Sequence, residues 1–166
     1  MESARLRYRE LTEEDFGELK TMLADPRVMY AWEHTFTDGE IWQWIQAQRE
    51  AYRSTGVGYF AAVAGRRLVG QIGLHRFSYQ GGEAYEVCYM LKHGCLHQGY
   101  ALEGAIAMAD YAFRELGAPA AYAQVKTTNA ASVRVAERAG FTRGPVFLKR
   151  YRGKDMPHCL YVKERP

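Results

Sequence analysis

The 166-residue sequence predicts an α+β fold: a mixed sheet of seven strands with helices on both faces. Three observations predict it. Period-two and helical patterns alternate along the whole chain, with no long run of either. Several strand-like segments follow one another across short turn signals, as hairpins do. One stretch reads strand, glycine loop, helix, strand, a crossover that calls for a parallel pair.

Arg5-Leu6-Arg7-Tyr8-Arg9 alternates with one apolar face and opens the chain as a strand. Thr12 then caps a helix whose first turn carries Glu13, Glu14 and Asp15, charges suited to the positive end of a helix dipole. Phe16, Leu19, Met22 and Leu23 form its stripe, and Asp25-Pro26 ends it. Thr37 with Glu40 reads as a capping box for a helix from about 38 to 53, stopped by Gly56-Val57-Gly58. YFAAVA and LVGQIGLHRF, joined at GRR, read as an antiparallel hairpin. A flexible SYQGG then leads into a strand from Ala84 to Leu91.

From Tyr100, a stripe of Leu102, Ile106, Ala109 and Phe113, with Ala105 and Ala112, predicts a helix lying on the sheet. Gly117 marks its exit, and AAYAQV is a short strand. Asn129 caps a compact helix that runs through Ala139 to Gly140. FTRGPVFLKRY and HCLYVKE supply the last two strands. No linker, repeat or low-complexity tract interrupts the pattern, so residues 1–166 read as one domain.

Composition sets further bounds. Hydrophobic residues make up 48% and charged residues 25%, as in a globular chain. A net charge of +3 with dispersed basic residues gives no ground for a nucleic-acid partner. The absence of an apolar run of about 18 residues argues against a membrane span. MESARLRYRE has no signal-peptide stretch. Cys88, Cys95 and Cys159 contain no CxxC pair, which suits a reduced, cytoplasmic setting. His93, Cys95 and His97 have ligand-like spacing but fall on a predicted loop with no second cluster, so no metal is expected.

Two segments carry chemistry. The helix at Tyr100 starts after Gln98-Gly99 with no side-chain cap, which leaves bare N–H groups at the positive end of a helix dipole. Those residues fit a plain glycine turn as well as an anion receptor. Neither GxxxxGK[ST] nor GxGxxG is present, so a phosphate would have to be held in another way. The second segment, TTNAASVRVAERAGF, places Asn129 and Ser132 three apart at a helix start, which simple capping also explains.

Taken together, the segments resemble the GNAT acetyltransferase superfamily, and within it the Rim-type branch of ribosomal-protein N-terminal acetyltransferases. LHQGYALEGAI is similar to that family's pyrophosphate loop. NAASVRVAERAGF is similar to its NxxSxxxxEKxGF segment, with Asn129, Ser132, Glu137, Gly140 and Phe141 in place. YEVCYML is similar to the strand that precedes the loop. Three positions depart from the pattern. Leu96 stands where Gln or Arg is usual, Cys88 replaces a small residue, and MPHCLY lacks the acidic residue often found in the last strand.

The resemblance implies a mostly antiparallel sheet and acetyl transfer from acetyl-CoA, a cosubstrate, to a primary amine by direct attack in a ternary complex. It implies that Glu86 takes the amine proton, directly or through a water, with Glu33 and His75 as weaker candidates. Ser132 would return a proton to the departing thiolate. Backbone N–H groups of Leu96, His97, Gln98, Gly99, Tyr100 and Ala101 would hold the diphosphate. Tyr89, Met90 and Leu91 would pair with the pantetheine arm, and Asn129 and Ser132 would contact it as well. Tyr30, Trp32, Phe36 and Trp42 could line the acceptor pocket or simply pack the helices. The acceptor implied is a protein N-terminal α-amine. A small amine (polyamine, amino acid or aminoglycoside), a CoA-binding sensor without turnover, and a homodimer stay open.

Overall fold

The computed structural model describes residues 1–166. Its strands are β1 (Arg7–Arg9), β2 (Tyr59–Ala64), β3 (Arg67–Tyr79), β4 (Gly82–Leu91), β5 (Ala120–Lys126), β6 (Thr142–Tyr151) and β7 (Lys154–Glu164). Its helices are α1 (Phe16–Leu23), α2 (Pro26–Met29), α3 (Asp38–Thr55), α4 (Tyr100–Arg114) and α5 (Ala130–Arg138). The strands form one seven-stranded sheet in the order β1-β2-β3-β4-β5-β7-β6. Every pairing is antiparallel except β4 with β5, the crossover pair that the glycine-loop unit predicts.

The helices divide between the two faces. Leu19, Met22 and Leu23 of α1, Met29 of α2, and Ile41 and Ile45 of α3 pack on Ala61, Val63, Leu68 and Met90. On the opposite face, Ala105, Met108, Ala109, Ala112 and Phe113 of α4 and Ala136 of α5 cover Ala62, Val69, Ile72, Leu74 and Val87. Each fully buried Leu, Ile or Met contributes roughly 1.5–3 kcal/mol relative to its exposed state.

Local details differ from the sequence expectation in three places. Asp25-Pro26 ends α1 but also starts α2, because the Asp25 carboxylate accepts the Arg27 N–H at 2.9 Å and Pro26 suits a first helical turn. SYQGG is not a flexible loop: β3 continues to Tyr79, and Gln80 and Gly81, at φ +50° and +81°, turn directly into β4. Ile106 faces solvent, and Met108 takes the expected place on the sheet. The rotation follows from Gly104, where an added Cβ would lie 2.5 Å from Ile72 Cδ1, so α4 approaches β3 along its glycine side.

Candidate active site

The loop after β4 is built to expose backbone. His93–Cys95 forms one 3₁₀ turn; Cys95 is fully buried beneath it, while His93 and His97 are exposed. Leu96 does not offer its N–H to a ligand as expected, because that group donates to the His93 carbonyl at 3.3 Å. From His97 to Leu102, in contrast, no backbone N–H has a partner within the protein, and the first helical bond runs from Glu103 N–H to the Gly99 carbonyl. His97 and Gly99 are left-handed, at φ +60° and +82°. Such interruptions of a right-handed turn make anion-binding concavities, here at the positive end of α4. His97, Gln98, Gly99, Tyr100 and Ala101 therefore stand together, joined by Leu102.

One acid in the first turn of α4 would oppose an anion there. Glu103 is neutralised: its Oε1 accepts from the Ser3 hydroxyl and the Arg5 N–H, each at 2.7 Å, and its Oε2 from Arg5 Nε at 2.7 Å. Burial works against its ionisation, yet these donors hold the carboxyl below its usual range. Arg5 also donates to the Gln98 carbonyl at 2.9 Å and lies 4.7 Å from the Tyr100 ring centre, so a guanidinium borders the concavity. Nothing in the spacing of residues 3–5 and 103 points to this role, since they meet only through the fold.

The parallel strands part quickly. β4 and β5 keep register only at Tyr85 with Ala121 and Glu86 with Tyr122. Beyond Glu86, the β5-facing edge of β4, including Tyr89, Met90 and Leu91, has no strand beside it. An extended amide-bearing chain fits such an edge. Asn129 and Ser132 flank the gap. Asn129 Oδ1 accepts from Ser132 N–H at 3.2 Å and from the Tyr30 hydroxyl at 2.7 Å, which leaves its amide nitrogen to donate. Tyr89 donates its hydroxyl to the Ser132 carbonyl at 3.0 Å, while the Ser132 hydroxyl itself has no partner in the protein.

On the α3 side the gap opens into a cavity of about 640 Å³. Trp32, Trp44, Tyr59 and Tyr151 form its aromatic wall. Trp32 meets Trp44 and Tyr151 edge-on, with ring centres 6.0 and 5.4 Å apart, and Trp44 lies 5.2 Å from Tyr59. Of the four aromatics expected there, Trp32 lines the cavity. Tyr30 reaches the site through Asn129, and Phe36 packs behind Trp32 and Trp44. Trp42 stands away from the cavity, stacked on Phe16 at 4.4 Å. Residues two apart on a helix point in nearly opposite directions, so only one of Trp42 and Trp44 can face inward. The Trp44 indole N–H fixes the choice by donating to the fully buried Gln71 at 2.9 Å.

The sheet supplies the polar floor. Glu86 is 7% exposed and lines the cavity; its nearest basic group is the exposed His75 imidazole at 3.7 Å. Burial, with the Glu86 charge adding to it, pushes the Cys88 thiol well above its ordinary range, so Cys88 is no thiolate nucleophile. The Tyr59 phenol is raised for the same first reason, burial, followed by the Cys88 and Glu86 charges. His158 occupies the last strand, where an acid is usual in the resembling family. Burial lowers its pKa, and Lys149 adds to the effect. Its Nδ1 lies 2.9 Å from the Met156 carbonyl, which fixes the Nδ1–H tautomer of the neutral ring and leaves Nε2 as the free lone pair. Glu33, the other acid considered, is bound by Lys126 and Lys154 and is not a cavity wall residue.

Comparison with known proteins fits this architecture. The family model for the acetyltransferase (GNAT) domain matches residues 5–142. The chain belongs to the GNAT acetyltransferase family. An acetyltransferase from Agrobacterium tumefaciens strain C58 is 26% identical, covering 99% of this chain and 94% of that one, with a TM-score of 0.81. Two more distant structures share the fold. The Salmonella typhimurium acetyltransferase that modifies the N-terminal serine of ribosomal protein L7/L12 is 16% identical over 99% and 97% of the chains, with a TM-score of 0.81. Spermidine N-acetyltransferase from Vibrio cholerae, in complex with CoA and spermine, is 17% identical over 95% of each chain, with a TM-score of 0.76. The GNAT protein described here is thus an acetyl-CoA-dependent N-acetyltransferase. Its free amides at 97–102 and its unpaired β4 edge suit that cosubstrate's diphosphate and pantetheine arm.

Proposed function

We propose that this acetyltransferase modifies a protein N-terminal α-amine by direct attack in a ternary complex, with Glu86 as the base and Ser132 as the proton donor. The observation that carries the reading is Glu86: a buried carboxylate on the cavity floor, at the last residue where β4 still pairs with β5. Acetyl-CoA supplies the activated thioester. An ammonium has no lone pair, so the chain must remove a proton before attack, and Glu86 is the buried acid placed to do so. The Ser132 hydroxyl, free of protein partners beside the gap, returns a proton to the sulfur side. The 97–102 amides and the Asn129 amide nitrogen orient the cosubstrate. The mouth, walled by Trp32, Trp44 and Tyr151, suits the end of a chain entering from solvent.

The spermidine enzyme raises a second reading, a polyamine acceptor. Against it stands Lys149 in the cavity, whose ammonium has no carboxylate partner, since a second ammonium next to it would be repelled. Thiol release from acetyl-CoA, measured with N-terminal peptides, free amino acids and polyamines, tests the proposal. Release with peptides that exceeds release with spermidine supports it. Release with spermidine alone overturns it.

A further inference from the structure

The cavity holds one cation that the proposed chemistry does not use. Arg76 is paired with Glu83 at 2.7 Å, Glu50 with Arg53 at 2.7 Å, and Lys126 with Glu33. Lys149, half-buried on β6, has no carboxylate partner. Its ammonium donates to the Gln124 side-chain oxygen at 3.0 Å, reaching across β7 to stand over β5. An ammonium drawn partly out of water with only a neutral acceptor is incompletely compensated.

The register places it relative to Glu86. Glu86 pairs with Tyr122 across the parallel strands, and Gln124 lies two residues further along β5 on the same face. One strand spacing of about 4.8 Å and two residues of about 3.3 Å each put Gln124 on the order of 8 Å from Glu86. Glu86, Gln124 and Lys149 line the same cavity, from backbones that close together on one face, so one small acceptor can reach both the carboxylate and the ammonium. Both charges also act on His158, the neutral ring of the same floor: Glu86 raises its pKa and Lys149 lowers it.

We infer that Lys149 is a carboxylate subsite, so that the acceptor is a primary amine bearing a carboxylate within about one residue of its nitrogen. The inference rests on the reading that Glu86 receives the amine. Two sources share this chemistry: the α-carboxylate of a free amino acid, and the side chain of an N-terminal Asp or Glu in a peptide. In either case the amine faces Glu86 while the carboxylate replaces or joins Gln124 on the Lys149 ammonium, and the opposite charges fix which end enters first.

The test measures kcat/KM at saturating acetyl-CoA for matched pairs: peptide amides beginning with Asp or Asn, and free alanine or alaninamide. The first pair reports a side-chain carboxylate and the second an α-carboxylate. At least one pair is expected to favour the acid by roughly tenfold to a hundredfold, as a charge-assisted hydrogen bond provides. Lys149→Met should bring that ratio to near unity, and Lys149→Arg should restore most of it. Turnover with no preference in either pair overturns the subsite while leaving the Glu86 reading intact. Should no amine be turned over, the Glu86 reading fails, and calorimetry still decides the subsite. The N-acetyl-Asp peptide and N-acetylalanine should bind the CoA complex more tightly than their amides, and equal binding refutes it.

Discussion

Gly99→Val tests the diphosphate loop most directly. Gly99 sits at φ +82° and ψ 0°, where a Cβ crowds the following carbonyl, so any L-residue there costs about 1–2 kcal/mol, and a β-branched one sits at the high end. The new Cβ would also lie 3.2 Å from Arg5 Nη2. Arg5 cannot swing away freely, because Glu103 and the Gln98 carbonyl hold it. The strain is small beside a typical folding stability of about 5–15 kcal/mol, so the variant folds. The loop is what gives: relieving φ rotates the Gly99 and Tyr100 amides out of the run from His97 to Leu102. Losing one or two charge-assisted hydrogen bonds at roughly 1.5–3 kcal/mol each weakens binding by about tenfold to about 10⁴-fold. Isothermal calorimetry with CoA gives the affinity, and circular dichroism confirms the fold. A folded Gly99→Val protein with wild-type CoA affinity would refute the assignment of these amides to the diphosphate.

Three further expectations follow from the geometry. Glu86→Gln should cut turnover by about 10²–10⁴-fold, the usual share of general base catalysis, while calorimetry finds CoA affinity unaltered; normal turnover removes Glu86 from the mechanism. Trp44→Phe leaves the buried Gln71 oxygen without its 2.9 Å donor, costing about 1–3 kcal/mol in urea denaturation and raising the acceptor KM. Trp42→Phe, on the far side of α3, should change neither by much, and equal effects would mean the wall is misassigned. His158 has a folded pKa below its ordinary 6.5, so as pH falls through 6.5 the unfolded chain takes up a proton that the folded site resists. Stability is therefore fully present above that pH and declines as the pH drops from 6.5 toward the folded pKa. Urea midpoints from pH 8 to 5 should show the decline, reduced in His158→Gln; parallel profiles would contradict it.

How far the sequence reveals this protein depends on whether a feature is local. The elements are mostly legible because period and caps are local: Thr37 with Glu40 does open α3, and Asn129 does cap α5. The Gly140 exit is equally local, with Phe141 N–H bonded to the Ala136 carbonyl and Gly140 N–H to that of Glu137, both at 3.0 Å. The bare amides at 97–101 are readable for the same reason, as the lack of a cap is visible in Gln98-Gly99-Tyr100. Leu96 is misjudged because a 3₁₀ turn at 93–95 takes its N–H, and a predicted loop gives no hint of it. Trp42 is misjudged although the helical period alone separates it from Trp44. The floor of the cavity is a different matter. Lys149 and His158 reach the site because β7 inserts between β5 and β6, and nothing in the spacing of those strands states that order.

The same strand order explains how one carboxamide can join the two halves of the site. Tyr30, between α2 and α3, belongs to the layer that walls the acceptor cavity, whereas α5 lies on the opposite face of the sheet. These layers are separated by the sheet everywhere except where β4 and β5 part, and Asn129 stands at that opening. Its Oδ1 takes the Tyr30 hydroxyl from one side and the first-turn amide of α5 from the other. With both acceptor positions filled, rotation of the side chain would break two bonds at once, so its amide nitrogen is held in one direction. The residue that caps α5 thereby also orients a donor at the gap. Capping and binding, which compete as explanations when the sequence is read alone, are two consequences of the same pair of hydrogen bonds.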